Sequence, residues 1–170
     1  MSSSKLIYGP NPIFQKQSDK IENIDESVKL LCEALEALLY EEGAVGVAAT
    51  MIGDLRRVIS YDLQEDEERN PITMINPKII EKSEETQEFE EGSICFPGTT
   101  LKVIRPKLIK LEYMNVNGDN QLLEADGWLS TVIQHEIDYL DGKTIFDDLS
   151  PMKKKMQFKK VKKFMKLEGY

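Results

Sequence analysis

The segment 134–139, Gln-His-Glu-Ile-Asp-Tyr, places a histidine beside a glutamate in a stretch with helical spacing of apolar residues. Two histidines four residues apart on one helical face bind a single metal ion, and a glutamate next to the first acts as general base. His135 and Glu136 supply half of that arrangement, but Tyr139 stands where the second histidine would be. His135 is the only histidine in the chain, so one subunit cannot form a two-histidine site.

Tyr139 is a poor substitute for a histidine ligand. A phenol must lose a proton with a reference pKa of about 10 before it binds a divalent ion. By itself, the His135-Glu136 pair therefore favours a helix-face histidine held by a hydrogen bond, with a metal ligand as the alternative.

Three segments of the chain change that balance. Segment 44–53 reads AVGVAATMIG, segment 91–95 reads EGSIC, and segment 134–142 reads QHEIDYLDG. In this order and at similar spacings they resemble the three motifs of the peptide deformylase family, G-x-G-x-A-A-x-Q-x-G, E-G-C-x-S and Q-H-E-x-D-H-L-x-G. The segments 8–20, 75–77, 123–127 and 149–151 also resemble that family, so the chain is identified as a member over nearly its whole length.

The resemblance implies an α+β fold in which antiparallel sheets enclose a central helix carrying His135 and Glu136, followed by a C-terminal helix. It also implies the family's activity, removal of the formyl group from N-formylmethionine of nascent proteins. In the family, one cysteine and two histidines hold iron(II) or a substitute such as nickel, cobalt or zinc. The glutamate moves the proton, and a glutamine and a backbone N–H stabilise the oxyanion.

Three positions that carry this chemistry in the family hold other residues here. Ser93 replaces the cysteine ligand and Tyr139 replaces the second histidine, whereas His135 and Glu136 match a ligand and the general base. Met51 replaces the oxyanion glutamine, a donor whose loss costs about 2.7–4 kcal/mol in such sites. We therefore expect no tightly bound metal, and a deformylase-like protein with little or no hydrolytic activity that keeps a cleft for a peptide N-terminus.

The remaining site positions also follow from the resemblance. It places the backbone N–H for the oxyanion at Ile94. The substrate cleft is expected at Val45, Gly46, Glu91, Trp128, Thr131 and Val132.

An active but divergent hydrolase is the alternative. It would use one divalent ion (Fe, Ni or Zn) held by His135, Glu136 and a displaced Cys95 or Tyr139. Cys95 lies two residues beyond the ligand position, about 6.5 Å along an extended strand, so it serves only if the backbone bulges. Otherwise Cys95 is a small buried thiol.

The pattern of the chain predicts one α+β domain over residues 1–170. Helices are expected at 25–41, at 127–140 and from Ser150-Pro151 onward. Strands are expected at 57–61, 72–80, 87–94, 107–113 and 121–124, with turns at 76–77, 97–98 and a hairpin at 117–119.

Charge is distributed unevenly along the chain. The net charge is −8, yet residues 153–170 hold eight lysines against one glutamate. This basic segment resembles the ribosome-docking helix of bacterial family members, and a solvated helix face is the alternative. The ribosome-binding candidates are Lys153, Lys154, Lys155, Lys159, Lys160, Lys162 and Lys163.

The composition bears on location and partners. A content of 41% hydrophobic and 31% charged residues is typical of soluble globular proteins, and the polar segment 1–5 lacks the features of a signal peptide. We expect a cytoplasmic protein, or one of an organelle matrix of bacterial origin. The expected partners are the ribosome or a nascent peptide, without membrane or DNA.

Overall fold

The computed structural model describes residues 4–170, so the first three residues of the polar N-terminal segment lie outside it. Within these described residues, three helices and seven strands follow one another, with short 3-10 helices at Pro12–Gln15 and Ala49–Ile52. They are α1 (Glu26–Glu41), β1 (Gly46–Ala48), β2 (Val58–Tyr61), β3 (Ile72–Lys82), β4 (Thr86–Ser93), β5 (Phe96–Pro106), β6 (Leu108–Met114), β7 (Asn120–Asp126), α2 (Gly127–Leu140) and α3 (Pro151–Glu168).

The strands form two antiparallel sheets around α2. One sheet has the order β1-β2-β3-β6-β7, and β4 pairs with β5 in a separate two-stranded ribbon. Helix α2 contacts strands of both sheets, and its residues Ile133 and Leu140 are fully buried. The α+β fold with an enclosed His-Glu helix is therefore confirmed.

Helix α1 covers β1 and β2 from the other side. The side chain of Asp25 caps its first turn by accepting a hydrogen bond from the backbone N–H of Val28 at 3.0 Å. Its buried residues recur every three or four positions and form one apolar stripe. They are Val28, Leu31, Cys32, Leu35, Leu38 and Leu39.

Two predicted turns are wrong. Segment 97–98 lies inside β5, an eleven-residue strand that the sequence pattern did not reveal, and β1 was also missed because it has only three residues. β5 tolerates prolines because its ribbon has only two strands, so each strand has a free edge. Segment 76–77 lies inside β3 at a register shift, with Asn76 at φ 52°. The hairpin at 117–119 is confirmed between β6 and β7.

Helix α3 packs on β5 through a half-buried apolar face, with Val161 fully buried. Ser150 caps it by accepting a hydrogen bond from Lys153 N–H at 3.3 Å, and Pro151 occupies its first turn. Lys154 forms an ion pair with Asp147 at 2.8 Å, whereas the other lysines of the helix are exposed. None of the helices within residues 4–170 is both long and apolar enough to cross a membrane.

Gly98 makes the close approach of α3 to β5 possible. It has φ +83°, and a Cβ there would overlap the side chain of Phe164 on α3. We expect Gly98→Ala to destabilise the fold by about 1–3 kcal/mol more than Gly169→Ala, because both strain the backbone but only the first displaces α3. Gly169 has φ +77° and open space around it. Urea unfolding of both variants tests this, and equal losses would contradict the packing argument.

Candidate active site

A cavity of about 350 Å³ opens between β1, the end of β4 and one face of α2. Predicted site residues from three distant segments meet there, and Gly43, Ala44 and Gly92 complete its wall. The predicted residues that line it are Val45, Gly46, Met51, Glu91, Ser93, Ile94, Trp128, Thr131, Val132, His135 and Glu136. Tyr139 is not part of the wall, because it lies buried behind Ser93.

Strand β1 presents a free edge to this cavity. In an antiparallel pair, alternate residues direct their N–H and C=O groups to the partner strand. Asp62 N–H donates to the carbonyl of Val45 at 3.0 Å, so the next residue, Gly46, directs its N–H and C=O away from β2. A Cβ on Gly46 would lie 2.9 Å from Oε1 and 3.0 Å from Cγ of Glu136, so the glycine lets β1 approach the Glu136 side chain closely.

A buried network of charges holds His135 in place. Arg105 donates to both carboxylate oxygens of Glu91, at 2.8 and 2.9 Å, and to Asp138 at 2.7 Å. Glu91 Oε1 lies 2.8 Å from Nδ1 of His135, which leaves Nε2 of the ring on the side of Glu136. We call Arg105, Glu91, Asp138 and His135 the Arg105 network. It fixes the orientation of the imidazole ring as a carboxylate fixes a metal-binding or catalytic histidine.

The network also sets the protonation of its members. Burial alone would raise the pKa of Glu91, but hydrogen bonds from His135 and Arg105 hold that pKa below its usual value. Burial alone would lower the pKa of His135, but the hydrogen bond to Glu91 and the charges of Glu136 and Glu91 raise it. Glu91 is therefore held as a carboxylate, and the negative charge around His135 favours its protonated form.

Arg105 and Asp138 were missed as site residues in the sequence. Arg105 lies near the end of β5, a strand that the sequence pattern does not predict. Asp138 belongs to the 134–142 motif, but the resemblance assigns it no role in the site. A buried carboxylate such as Glu91 requires a cationic partner, but nothing in the sequence indicates that Arg105, fourteen residues further along the chain, is that partner.

Ser93 and Tyr139 hydrogen bond to each other at 2.6 Å. The Tyr139 ring is buried against Phe14, with ring centroids 5.4 Å apart, and burial raises the pKa of its phenol well above the usual value. The hydroxyl of Ser93 also accepts a hydrogen bond from Cys95 N–H at 3.2 Å. Two neutral hydroxyls joined by one hydrogen bond thus occupy the positions that the motif resemblance equates with a thiolate and an imidazole.

Cys95 lies in the turn between β4 and β5 and has no exposed surface. Burial raises the pKa of its thiol, and the thiol is not among the groups that line the cavity. Across residues 4–170, no three His, Cys, Asp or Glu side chains come together in a way that could hold a metal ion. The side chains present therefore do not fit the cysteine and two histidines of the family's metal centre.

One wall of the cavity is aromatic and polar. Trp128 packs against Phe89 of β4 with ring centroids 5.3 Å apart. Gln87 donates to the carbonyl of Gly127 at 2.6 Å and to the hydroxyl of Thr131 at 3.0 Å. The buried thioether of Met51 also lines the cavity. Met51 offers no N–H or O–H to an oxyanion.

Glu136 is the exception in an otherwise satisfied site. Its side chain lines the cavity, and its Oε2 is buried without a hydrogen-bond partner among residues 4–170. Burial raises the pKa of Glu136 from 4.5 to about 7. Such a group accepts a proton more readily in the folded protein than in the unfolded chain.

This shift predicts a pH-dependent stability. The unfolded state ionises near pH 4.5 and the folded state only near pH 7, so Glu136 makes the fold less stable as pH rises through that window. We expect the Glu136→Gln variant and the parent to have the same free energy of unfolding at pH 4. At pH 8 we expect the variant to be more stable by about 3 kcal/mol. Urea unfolding of metal-free protein at both pH values measures this, and a difference that does not vary with pH would contradict it.

The comparisons with known proteins agree with this geometry. The family model described as polypeptide deformylase matches residues 3–155. The chain belongs to the peptide deformylase family. A Rickettsia conorii protein named peptide deformylase-like is 44% identical to this chain over 163 residues. The match covers 96% of this chain and 89% of that protein. The peptide deformylase of Rhizobium meliloti is 35% identical over 99% of this chain and 98% of its own length.

Solved structures of the family share the fold. The peptide deformylase of Legionella pneumophila superposes with a TM-score of 0.91 at 31% identity and covers 99% of this chain and 98% of its own. That of Ehrlichia chaffeensis superposes with a TM-score of 0.90 at 28% identity, covering 99% and 100%. The deformylase fold is thus shared over nearly the whole chain.

Proposed function

We propose that this peptide deformylase family member has little or no hydrolytic activity and binds a peptide N-terminus in the cavity beside Glu136. The observation that carries the proposal is the 2.6 Å hydrogen bond between Ser93 and Tyr139. Each hydroxyl uses the other as partner, so the two positions that the motif resemblance assigns to metal ligands form a neutral contact instead. A neutral hydroxyl is a far weaker donor to a metal than a thiolate or an imidazole.

Loss of charge stabilisation supports the same conclusion. Met51 lines the cavity at the position that the resemblance assigns to the oxyanion glutamine. The backbone N–H assigned to Ile94 is then the remaining oxyanion donor of the pair. Without the side-chain donor, a tetrahedral intermediate is less stable by about 2.7–4 kcal/mol, a rate loss of about 100- to 1,000-fold.

The cleft itself suits an extended peptide. The Gly46 edge of β1 and the unpaired edge of the β4-β5 ribbon flank the cavity on opposite sides. An extended chain satisfies such edges by strand addition, and a pocket between them takes the first side chain. Trp128, Thr131 and Val132 form the wall of that pocket.

Formate release from N-formyl-Met-Ala-Ser is the experiment that tests the proposal. The protein is purified anaerobically and supplied in turn with iron(II), nickel and zinc, and bound metal is measured in the same samples. We expect no stoichiometric metal and no turnover above the blank. Turnover that Glu136→Ala abolishes would show an active, divergent hydrolase with other ligands and would overturn the proposal.

Helix α3 carries the observation for a second proposal. Its exposed lysines form a basic surface on an otherwise acidic protein, with Lys153, Lys155 and Lys159 among them. We propose that this surface docks on the ribosome, which needs no catalysis and places the protein in the cytoplasm or an organelle matrix of bacterial origin. Lysine contacts to phosphate release counterions, so such binding weakens steeply with salt.

Co-sedimentation with ribosomes at increasing salt tests this role. The test variant reverses the charge of Lys159, Lys160 and Lys163, and the control variant reverses three lysines outside the helix, Lys78, Lys82 and Lys110. We expect binding to be lost only in the first variant. Retained binding after that reversal would exclude the helix as the docking surface.

A further inference from the structure

We infer that the free edge of strand β7 (Asn120–Asp126) pairs with the same edge of a second copy of this chain, which joins two copies into one continuous antiparallel sheet. None of the β7 residues lines the cavity. The inference therefore goes beyond both proposals above, and its failure would leave them standing.

Strand β7 has one edge without a partner strand. It is the last strand of the five-stranded sheet and, within residues 4–170, it pairs with β6 alone. Its seven residues follow β6 in a register without a bulge. The other edge therefore carries backbone N–H and C=O groups that no neighbouring strand uses, and a regular edge of this kind is a template for another chain.

This edge lacks the usual protection against pairing. Natural proteins protect exposed edge strands with bulges, prolines or lysines. Strand β3 has such protection where it runs past the end of β2, because two register shifts bend it and Lys78 and Lys82 lie along it. Strand β7 reads NQLLEAD, without proline or lysine, and Leu122 projects from it with 61% of its surface exposed. The β7 edge is therefore open to pairing.

The charge nearest the centre of β7 is balanced within the sheet. Glu124 lies directly across from Lys110 of β6. Opposite charges at directly opposite positions of a sheet attract one another. The centre of the edge therefore does not require a basic partner, and a strand of the same composition fits it.

The residue order of β7 suits pairing with itself. Two copies joined antiparallel through one edge are related by a two-fold axis, and directly opposite residues point to the same face of the joined sheet. With the axis at Leu122, the two Leu122 side chains meet, and Glu124 lies opposite Asn120 of the second copy. The carboxylate then accepts a hydrogen bond from that amide, and no two carboxylates within the strands are directly opposed.

Exposed apolar residues also lie near both ends of the strand, Val116 before it and Trp128 after it. Each is six residues from Leu122. The two-fold axis sets the end that bears Val116 beside the end that bears Trp128 in the second copy. The exposed apolar residues are thus grouped symmetrically about the axis, and removal of apolar surface from water drives such association.

Sedimentation equilibrium of the intact chain, up to about 1 mM protein and at low and high salt, tests the inference. Each copy carries a net charge of −8, so salt should tighten the dimer by screening the repulsion between copies. We expect a reversible equilibrium between one and two chains that shifts toward the dimer at high salt. A mass of one chain at every concentration would overturn the inference. Association that weakens with salt would also overturn it, because oppositely charged surfaces would then join the copies.

A lysine at the axis should break the contact. Leu122→Lys sets two like charges opposite each other and should weaken the dimer at least about tenfold. The matched control is Leu30→Lys, because Leu30 is 57% exposed on α1 and lies outside the strand. The control should leave the dimer unchanged. Equal effects of the two variants would show that the copies meet through another surface.

Asn120→Lys tests the register of the two strands. It places a lysine opposite Glu124 at two symmetric positions and should tighten the dimer by about 2- to 30-fold. Asn117→Lys makes the same change of charge in the exposed turn before β7 and should give a smaller gain, from the lower net charge alone. Equal gains would exclude the axis at Leu122.

A disulfide gives a measurement that does not depend on affinity. Directly opposite Cα atoms of an antiparallel pair are about 4.5–5.5 Å apart, within the range that a disulfide spans. Leu122→Cys should therefore cross-link two copies in mildly oxidising buffer, whereas Leu30→Cys should not. The native Cys32 and Cys95 are buried and should not interfere. If Leu122→Cys stays uncrosslinked at concentrations where sedimentation shows a dimer, the inference is wrong.

Discussion

Arg105→Met is expected to lower the free energy of unfolding by about 3–5 kcal/mol, the cost of leaving a buried charge without its partner. Arg105 donates to both oxygens of Glu91, and both side chains are almost fully buried. Removal of the guanidinium leaves the carboxylate with only His135 as partner. Urea unfolding at pH 7 measures the loss directly.

The matched control is Arg56→Met. Arg56 also forms a close ion pair, with Asp54 at 2.7 Å, but about a third of its side chain is exposed. Exposed ion pairs contribute about 0–1 kcal/mol to the free energy of unfolding, so Arg56→Met should unfold with nearly the same free energy as the parent. If the two variants lose similar amounts of free energy of unfolding, Arg105 contributes no more than an exposed arginine. The Arg105 network would then not stabilise His135 as a buried ion pair does.

The combined variant Ser93→Cys, Tyr139→His and Met51→Gln is expected to bind one divalent metal and to release formate from N-formyl-Met-Ala-Ser. The physical reason is that the scaffold already orients His135 through Glu91 and places Glu136 in the cavity. The three substitutions restore the donor types that the family uses. Metal content and formate release, measured anaerobically with iron(II) and nickel, give the result.

Two further variants separate binding from catalysis. The double variant Ser93→Cys and Tyr139→His should bind the metal. Its turnover should be about 100- to 1,000-fold slower than that of the combined variant, because Met51 offers no oxyanion donor. Adding Glu136→Ala to the combined variant should abolish its activity. A correctly folded combined variant that stays free of metal would contradict the view that three side chains separate this protein from an active enzyme.

The sequence determined the family, the α+β fold and the helix that carries His135 and Glu136. Each of its three motifs combines residues that set the backbone conformation with residues that carry the chemistry. Each motif could therefore be recognised without knowing which other segments lie beside it in the fold. Gly46 is one such position, because its missing side chain makes room for Glu136. Helices α1 and α2 were also predictable, since capping and apolar spacing act within a few residues.

Some elements were not predictable because their stability comes from pairing. Strand β5 contains two prolines and a glycine, and its extended conformation depends on β4 and on the packing of α3. The strand-like run 72–80 was recognised, but Asn76 and Pro77 form a bulge inside β3 that only the partner strand β6 defines. The extent of the domain, the roles of the site residues and ribosome docking by α3 stay predictions.

The tertiary structure alone decided how the substituted side chains meet. The sequence showed that Ser93 and Tyr139 depart from the family pattern, but their mutual hydrogen bond joins residues 46 positions apart. The same holds for Arg105, which meets Glu91 and Asp138 from a strand that the sequence did not reveal. Sequence patterns report interactions within a helix or strand, whereas the balance of buried charges depends on which distant groups the fold brings within about 3 Å of one another.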